Sequence, residues 1–196
     1  MPLSPEEFHA HVLAAADDDG RLPLPPVAEW YSFPFEGLMR VRPLAPPVPE
    51  PPRQGADPAR CPTCARRDEG IWLDERWRLE RVAGGGLPLL LVLYPRDHHD
   101  LADLPDALAR ELGVLTVHVA RAIEALPHVA RAHVTRFGDG GAHLHVFFWA
   151  RPEGQLQLRG SCLSMWDDVL PRYPDELAEA DAAMVVGWLG EALRTR

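Results

Sequence analysis

The sequence predicts an α+β domain in which an antiparallel sheet carries one long packed helix. Three observations point there. Residues 104–126 place Leu104, Leu108, Leu112, Leu115, Val119, Ile123 and Leu126 at helical spacing. Stretches 129–137 and 143–150 read as two strands joined across Gly138, Asp139, Gly140 and Gly141, a β-hairpin pattern. Bulky and charged residues interleave over 71–83, ahead of a Gly84-Gly85-Gly86 turn and the apolar run 87–94. No internal repeat is present.

Each element follows in order. Residues 4–18 read as a helix with Ser4 as N-cap, Pro5 in the first turn and Glu7 at the capping-box position. Residues 21–57 form a proline-rich arm, because ten of the 21 prolines lie between Pro23 and Pro52 and exclude regular helix or central strand. Trp30, Tyr31, Phe33 and Phe35 lie inside it, read as rings packed on the domain surface or as a partner-binding segment. Its part from 45 to 57 is expected to be mobile. Residues 71–83 give one or two short strands, and 87–94 a buried strand ended by Pro95. Pro105 and Asp106 suit the first turn of the long helix, which Pro127 stops. Residues 159–168 read as a loop, and 174–193 as a final amphipathic helix. The domain plan is therefore an N-terminal helix (1–20), the arm (21–57) and the main domain (58–196).

Composition narrows the function. The chain has 196 residues, 46% hydrophobic and 25% charged, an ordinary globular balance. The apolar run 87–94 is far short of the roughly 20 residues a membrane span needs, so no membrane association is expected. The net charge of −9 disfavours general nucleic-acid binding, which draws on a basic field. Lysine and asparagine are absent, so any cation for a phosphate must be Arg or His. Three cysteines and no leader pattern suggest a reducing cytoplasm.

Two segments carry chemistry. In the first, strand alternation puts Leu144, Val146 and Phe148 on one face and His143, His145, Phe147 and Trp149 on the other. Two imidazoles about 7 Å apart can serve one site; alternatively, an exposed face merely carries them. In the second, Cys61-x-x-Cys64 can hold two corners of a tetrahedral zinc site, with His98 or His99 and His143 completing a Cys2His2 set. The alternatives are a redox pair, which usually opens a helix after a strand, or thiols without a role. Ser161, Cys162, Ser164 and Trp166 either line a pocket or pack a loop. His9, His11, His118, His128 and His133 are read as having no role.

Taken together, Cys61-x-x-Cys64, the strand followed by Pro95 and His98, the Asp100-Leu101 step, the long helix and the hairpin bearing His143, His145 and Phe147 resemble the histidine triad (HIT) superfamily. The resemblance covers residues 58–152. It implies a HIT-like antiparallel sheet with a long packed helix. It also implies nucleotidyl transfer or hydrolysis, in which the middle histidine, here His145, attacks an α-phosphate and becomes covalently nucleotidylated. By similarity to zinc-bearing members and the related galactose-1-phosphate uridylyltransferases, Cys61, Cys64, His98 and His143 would hold a structural zinc. A nucleotide or other phosphate-linked small molecule would be the ligand, and a homodimer is the usual assembly.

The chain departs from the pattern at its third position. Phe147 stands where the family has histidine or glutamine, and it can neither hold a phosphate nor protonate a leaving group. The glycine loop also lacks the family's Gly-Gln-Ser/Thr element, and the family asparagine is missing. Arg96, Arg136 and Arg151 are candidates for phosphate binding, with the amides of Gly140 and Gly141 as an anion nest and Trp166 in the substrate pocket. The expectation is a HIT-like hydrolase or transferase using His145. The alternatives are a degenerate HIT fold that binds zinc and a nucleotide or protein without turnover, and a zinc module whose arm docks a partner.

Overall fold

The computed structural model describes residues 2–194. The chain divides into two compact units, Met1–Pro51 and Pro52–Arg196.

In the first unit, helix α1 (Pro5–Leu13) opens with the expected capping box. Ser4 Oγ accepts from the Glu7 amide at 3.1 Å, and the Glu7 carboxylate accepts from the Ser4 amide at 2.7 Å. The helix stops earlier than its sequence pattern suggests, because none of its residues is buried and the apolar stripe has nothing to extend along. The chain after it is tied by side chains to its own backbone. Arg21 Nη1 donates to the Val41 carbonyl at 3.0 Å, and His9 Nε2 bonds the Leu44 carbonyl at 3.0 Å. Phe33 and Phe35 meet edge to face at 5.7 Å, while Trp30 and Tyr31 are exposed.

The second unit is built on a five-stranded antiparallel sheet in the order β1-β2-β3-β5-β4. The strands are β1 (Trp72–Leu73), β2 (Trp77–Arg81), β3 (Leu90–Pro95), β4 (Val129–Thr135) and β5 (Val146–Pro152). A turn at Asp74 splits the 71–83 stretch in two. Its Oδ1 accepts the amides of Arg76 and Trp77 at 2.7 and 2.6 Å, a side-chain mimic of a backbone turn. The strand at 87–94 is displaced to Leu90–Pro95, although Leu87 and Leu89 are also buried.

Pleat alternation then sorts the side chains. Trp77, Leu79, Leu91, Leu93, Val146, Phe148 and Ala150 form one face of the sheet. That face is covered by helix α3 (Asp106–Glu124), through Leu115, Val119, Ala122 and Ile123, and by helix α5 (Asp175–Arg194), through Ala182, Val185 and Leu189. Trp77 also donates its indole N–H to Glu111 of α3 at 3.0 Å. The opposite face carries Arg78, Tyr94, Val92, Phe147 and Trp149 in register.

Two sequence expectations are corrected. The expected strand 143–150 begins three residues late, at Val146, because the backbone at 143–145 is drawn away from the ladder: the Ala142 amide goes to Gln54 and the Leu144 amide to His99. Residues 159–168 are not a plain loop. Helix α4 (Leu163–Val169) forms there, with Leu163, Trp166 and Leu170 packing beside Leu87, Leu158 and Trp149. The spacing of 163, 166 and 170 is helical, but the stretch is too short for periodicity to stand out.

Phe148 is fully buried at the centre of the main core. Replacing it with alanine should cost about 3–5 kcal/mol. Urea unfolding checks this, and a loss below about 1 kcal/mol would mean that the sheet–helix core is not packed as described.

Candidate metal centre and active site

Four donors from three separate stretches converge at one end of the sheet. The Cys61 and Cys64 thiols, with one nitrogen each from His98 and His143, all lie within 4.8 Å of one another. Cys64 sits in a single helical turn, α2 (Pro62–Ala65), which starts directly after Cys61. Cys61 is buried, and Gly55 makes room for it. A Cβ on Gly55 would stand 2.9 Å from the Cys61 sulfur, and its φ of +73° is one glycine adopts freely.

The separations suit a tetrahedral ion. Cys64 Sγ is 3.3 Å from His98 Nδ1 and 3.4 Å from His143 Nδ1, and Cys61 Sγ is 3.6 Å from His143 Nδ1. Metal–sulfur and metal–nitrogen bonds of about 2.3 and 2.0 Å at a tetrahedral angle put S and N about 3.5 Å apart. The tautomer fits too. His143 Nε2 lies 2.8 Å from the Pro95 carbonyl, so it donates there and presents the Nδ1 lone pair to the cysteines. Burial lowers the His143 pKa and keeps the ring neutral, as a ligand must be. Burial, together with the adjacent Cys61 sulfur, pushes the Cys64 thiol up to about 11, and a cation among the four donors would reverse that preference. His99 contributes its backbone instead, the carbonyl accepting the Leu144 amide at 2.7 Å.

His145 follows the cluster directly. Its Nδ1 lies 2.8 Å from the His143 carbonyl, so Nδ1 donates and the neutral ring keeps its lone pair at Nε2. The ring is half-buried beside Phe147, edge to face at 5.4 Å, and Tyr94 at 6.5 Å. Phe147 continues the aromatic row to Phe137 at 6.3 Å and Trp149 at 5.7 Å. Arg78 is buried in the sheet with its guanidinium 4.2 Å above the Tyr94 ring and bonded to Glu80 at 2.7 Å.

The glycine loop lies against the His145 ring. A Cβ on Gly141 would meet His145 Cε1 at 3.4 Å, so the backbone reaches the imidazole closely. The loop is held from outside. Gln54 donates its amide to the Gly140 carbonyl and accepts the Ala142 amide, both at 2.9 Å. Arg53 donates to the Gly138 carbonyl at 2.9 Å and pairs with Asp100 at 2.7 Å. Arg136 pairs with the same carboxylate. Burial alone would raise the Asp100 pKa, but the Leu101 amide, Arg53 and Arg136 outweigh it and hold the carboxyl below its ordinary value.

The remaining candidates are dispersed. Arg96 is clamped by the Arg67, Asp74 and Glu75 carbonyls and by Asp68. Arg151 lies near the far end of β5, its Nη1 donating to the Pro152 and Gln155 carbonyls. Trp166 belongs to the small apolar cluster at Leu158 and Leu163, and Cys162 is buried. Sequence reasoning missed the parts played by Arg53, Gln54 and Gly55, and read Asp100 as a step of the motif but not as the partner of Arg53 and Arg136. Three of these fall in the proline-rich arm, where no local pattern marks a partner 85 positions away.

No family model and no curated protein matches the chain. Solved structures do. A Zn-bound histidine triad family protein from Mycobacterium smegmatis superposes with a TM-score of 0.50 at 18% identity, over 68% of this chain and 95% of that one. A hypothetical histidine triad nucleotide-binding protein from Sulfolobus tokodaii strain 7 gives 0.50 at 16% identity, over 67% and 93%. The chain has the histidine triad superfamily fold, and its Cys61, Cys64, His98 and His143 cluster is suited to a metal ion. Among the described residues no helix is long and apolar enough to cross a membrane.

Purified protein should carry about one divalent ion per chain. Cys64→Ser should lower that content at least several-fold and lower the Tm, and a strong chelator should bring the wild-type Tm down towards the variant's. Elemental analysis and thermal melts decide; an unchanged metal content in the variant contradicts the four-donor centre.

Proposed function

We propose that this protein is a HIT-like nucleotide-binding enzyme, a hydrolase or transferase acting on a phosphate-linked nucleotide through a covalent His145 intermediate. The observation that carries the reading is the His145 tautomer: the His143 carbonyl takes Nδ1–H, so Nε2 is the nucleophilic nitrogen. A structural zinc on Cys61, Cys64, His98 and His143 fits the donor set, and its service would be to brace the backbone that holds His145.

The chain's residues divide the work as follows. His145 Nε2 attacks the α-phosphorus, a P–N bond forms, and the bond to the leaving oxygen breaks. The amides of Gly140 and Gly141 form no hydrogen bond among the described residues and lie by the ring, where they can donate to phosphate oxygens. Arg53 and Arg136 share the single Asp100 carboxylate beside that loop, which leaves one positive charge in excess there. Water then attacks the phosphorus, the P–N bond breaks, the water oxygen stays on the nucleotide product while its proton passes to solvent, and neutral His145 returns.

Phe147 shapes the substrate. It cannot supply a proton, so the leaving group must depart as a stable anion, such as a phosphate or nucleoside phosphate. An amine leaving group requires protonation and should react about 10²–10⁴-fold more slowly than an enzyme with an acid at this position would allow. The same residue favours a second reading, a degenerate HIT fold that binds nucleotide without turnover. A reducing cytoplasm, where the thiols stay free, and a homodimeric assembly belong to the same proposal.

Incubation with a dinucleoside polyphosphate, a nucleotide sugar and a nucleoside phosphoramidate, followed by mass spectrometry, tests both readings. The expected result is a nucleotide on His145 with the polyphosphate, little with the phosphoramidate, and none in His145→Ala. Nucleotide binding of equal strength in wild type and His145→Ala, with no adduct and no turnover, would establish the binding-only reading.

A further inference from the structure

A cavity opens on the same sheet face as Phe147 and Trp149 but at the opposite end. It has a volume of about 460 Å³ and is lined by Arg131, His133, Arg151 and Arg159, together with Glu153 and Gly160. From His145 to Arg151 the chain advances six residues, about 20 Å along a strand. Phe147 and Trp149 stand between, and Trp149 packs beside Leu158, Leu163 and Trp166. One mononucleotide at His145 does not reach past that wall.

The register makes this cavity unusual. Arg131 of β4 is directly opposite Arg151 of β5, and His133 is opposite Trp149. Like charges facing each other across a ladder destabilise it unless something neutralises them. Arg151 is nonetheless buried, at 7% exposure, with Nη1 held by the Pro152 and Gln155 carbonyls. His133 is half-buried and hydrogen-bonded to the Gly160 backbone. Arg159, from the segment after β5, also lines the cavity.

More than half of the arginines of this acidic chain pair with a carboxylate. Arg53, Arg60, Arg66, Arg67, Arg76, Arg78, Arg81, Arg96, Arg110, Arg136 and Arg172 each have a carboxylate partner. Arg131, Arg151 and Arg159 have none among the described residues, as is also true of Arg21, Arg40, Arg42 and Arg121, but these three line one cavity, and Glu153, which lines it too, pairs with none of them. A single carboxylate is thus already at hand and leaves the three guanidinium groups unmatched.

We propose that this cavity is a second anion site, which binds a phosphate-bearing small molecule through Arg131, Arg151 and Arg159. A multiply charged phosphate matches the planar guanidinium forks and offsets several positive charges at once, which a lone carboxylate does not. The volume lies within the range of small-molecule sites. The proposal stands apart from the chemistry at His145.

Calorimetric titration with inorganic pyrophosphate at fixed ionic strength tests it, with inorganic phosphate and citrate run alongside. Arg131 and Arg159 are exposed, so Arg131→Gln and Arg159→Gln leave the core intact. The expected result is pyrophosphate binding to wild type, weakened about ten-fold or more in each variant and unchanged in His145→Ala. The proposal is overturned by equal affinity in the two arginine variants, by no binding at millimolar pyrophosphate, or by loss of binding in His145→Ala, which would locate the anion at the histidine instead. Citrate binding as tightly as pyrophosphate would overturn the phosphate assignment.

Discussion

His143 is the residue on which the site depends. Its ring donates to the Pro95 carbonyl and turns Nδ1 towards two cysteines, while its own carbonyl accepts His145 Nδ1–H. One residue therefore sets the tautomer of both imidazoles. The four-donor cluster and the proposed nucleophile share a backbone segment, so what stiffens one orients the other. This explains why a buried, neutral histidine is placed just ahead of a strand rather than in it.

The sheet supplies the rest of the frame. One face is used up by the core under α3 and α5. The other is left for a row of aromatic rings that begins at His145 and ends at Trp149. The imidazole thus stands beside an apolar floor of partly exposed rings. The cost is that no side chain in that row other than histidine can move a proton.

Much of this was legible in the sequence because it rests on local periodicity. The leucine stripe of α3, the alternation of Val146 and Phe148, the Ser4 capping box and the Cys61-x-x-Cys64 turn each depend on neighbours within a few residues. What escaped depends on distance in the chain. Arg96 and Arg151 look alike as lone arginines near motif residues, yet one is tied down by loop carbonyls and the other lies at the far end of a strand. His133 looks idle until β4 and β5 are in register. Residues 143–145 read as strand because their alternation is intact, but long-range bonds from Gln54 and His99 take their backbone out of the ladder.

The link from Arg53 and Gln54 to the glycine loop bears on how the molecule can be cut. A stretch dense in proline invites trimming at about residue 57, where a recognisable motif begins. Such a fragment would keep every proposed metal donor and His145. It would nevertheless lack the two residues that hold the 138–142 backbone in place, and Asp100 would keep only Arg136 as its counter-ion. Any shortened version meant to preserve the hollow beside the imidazole should start no later than Pro52.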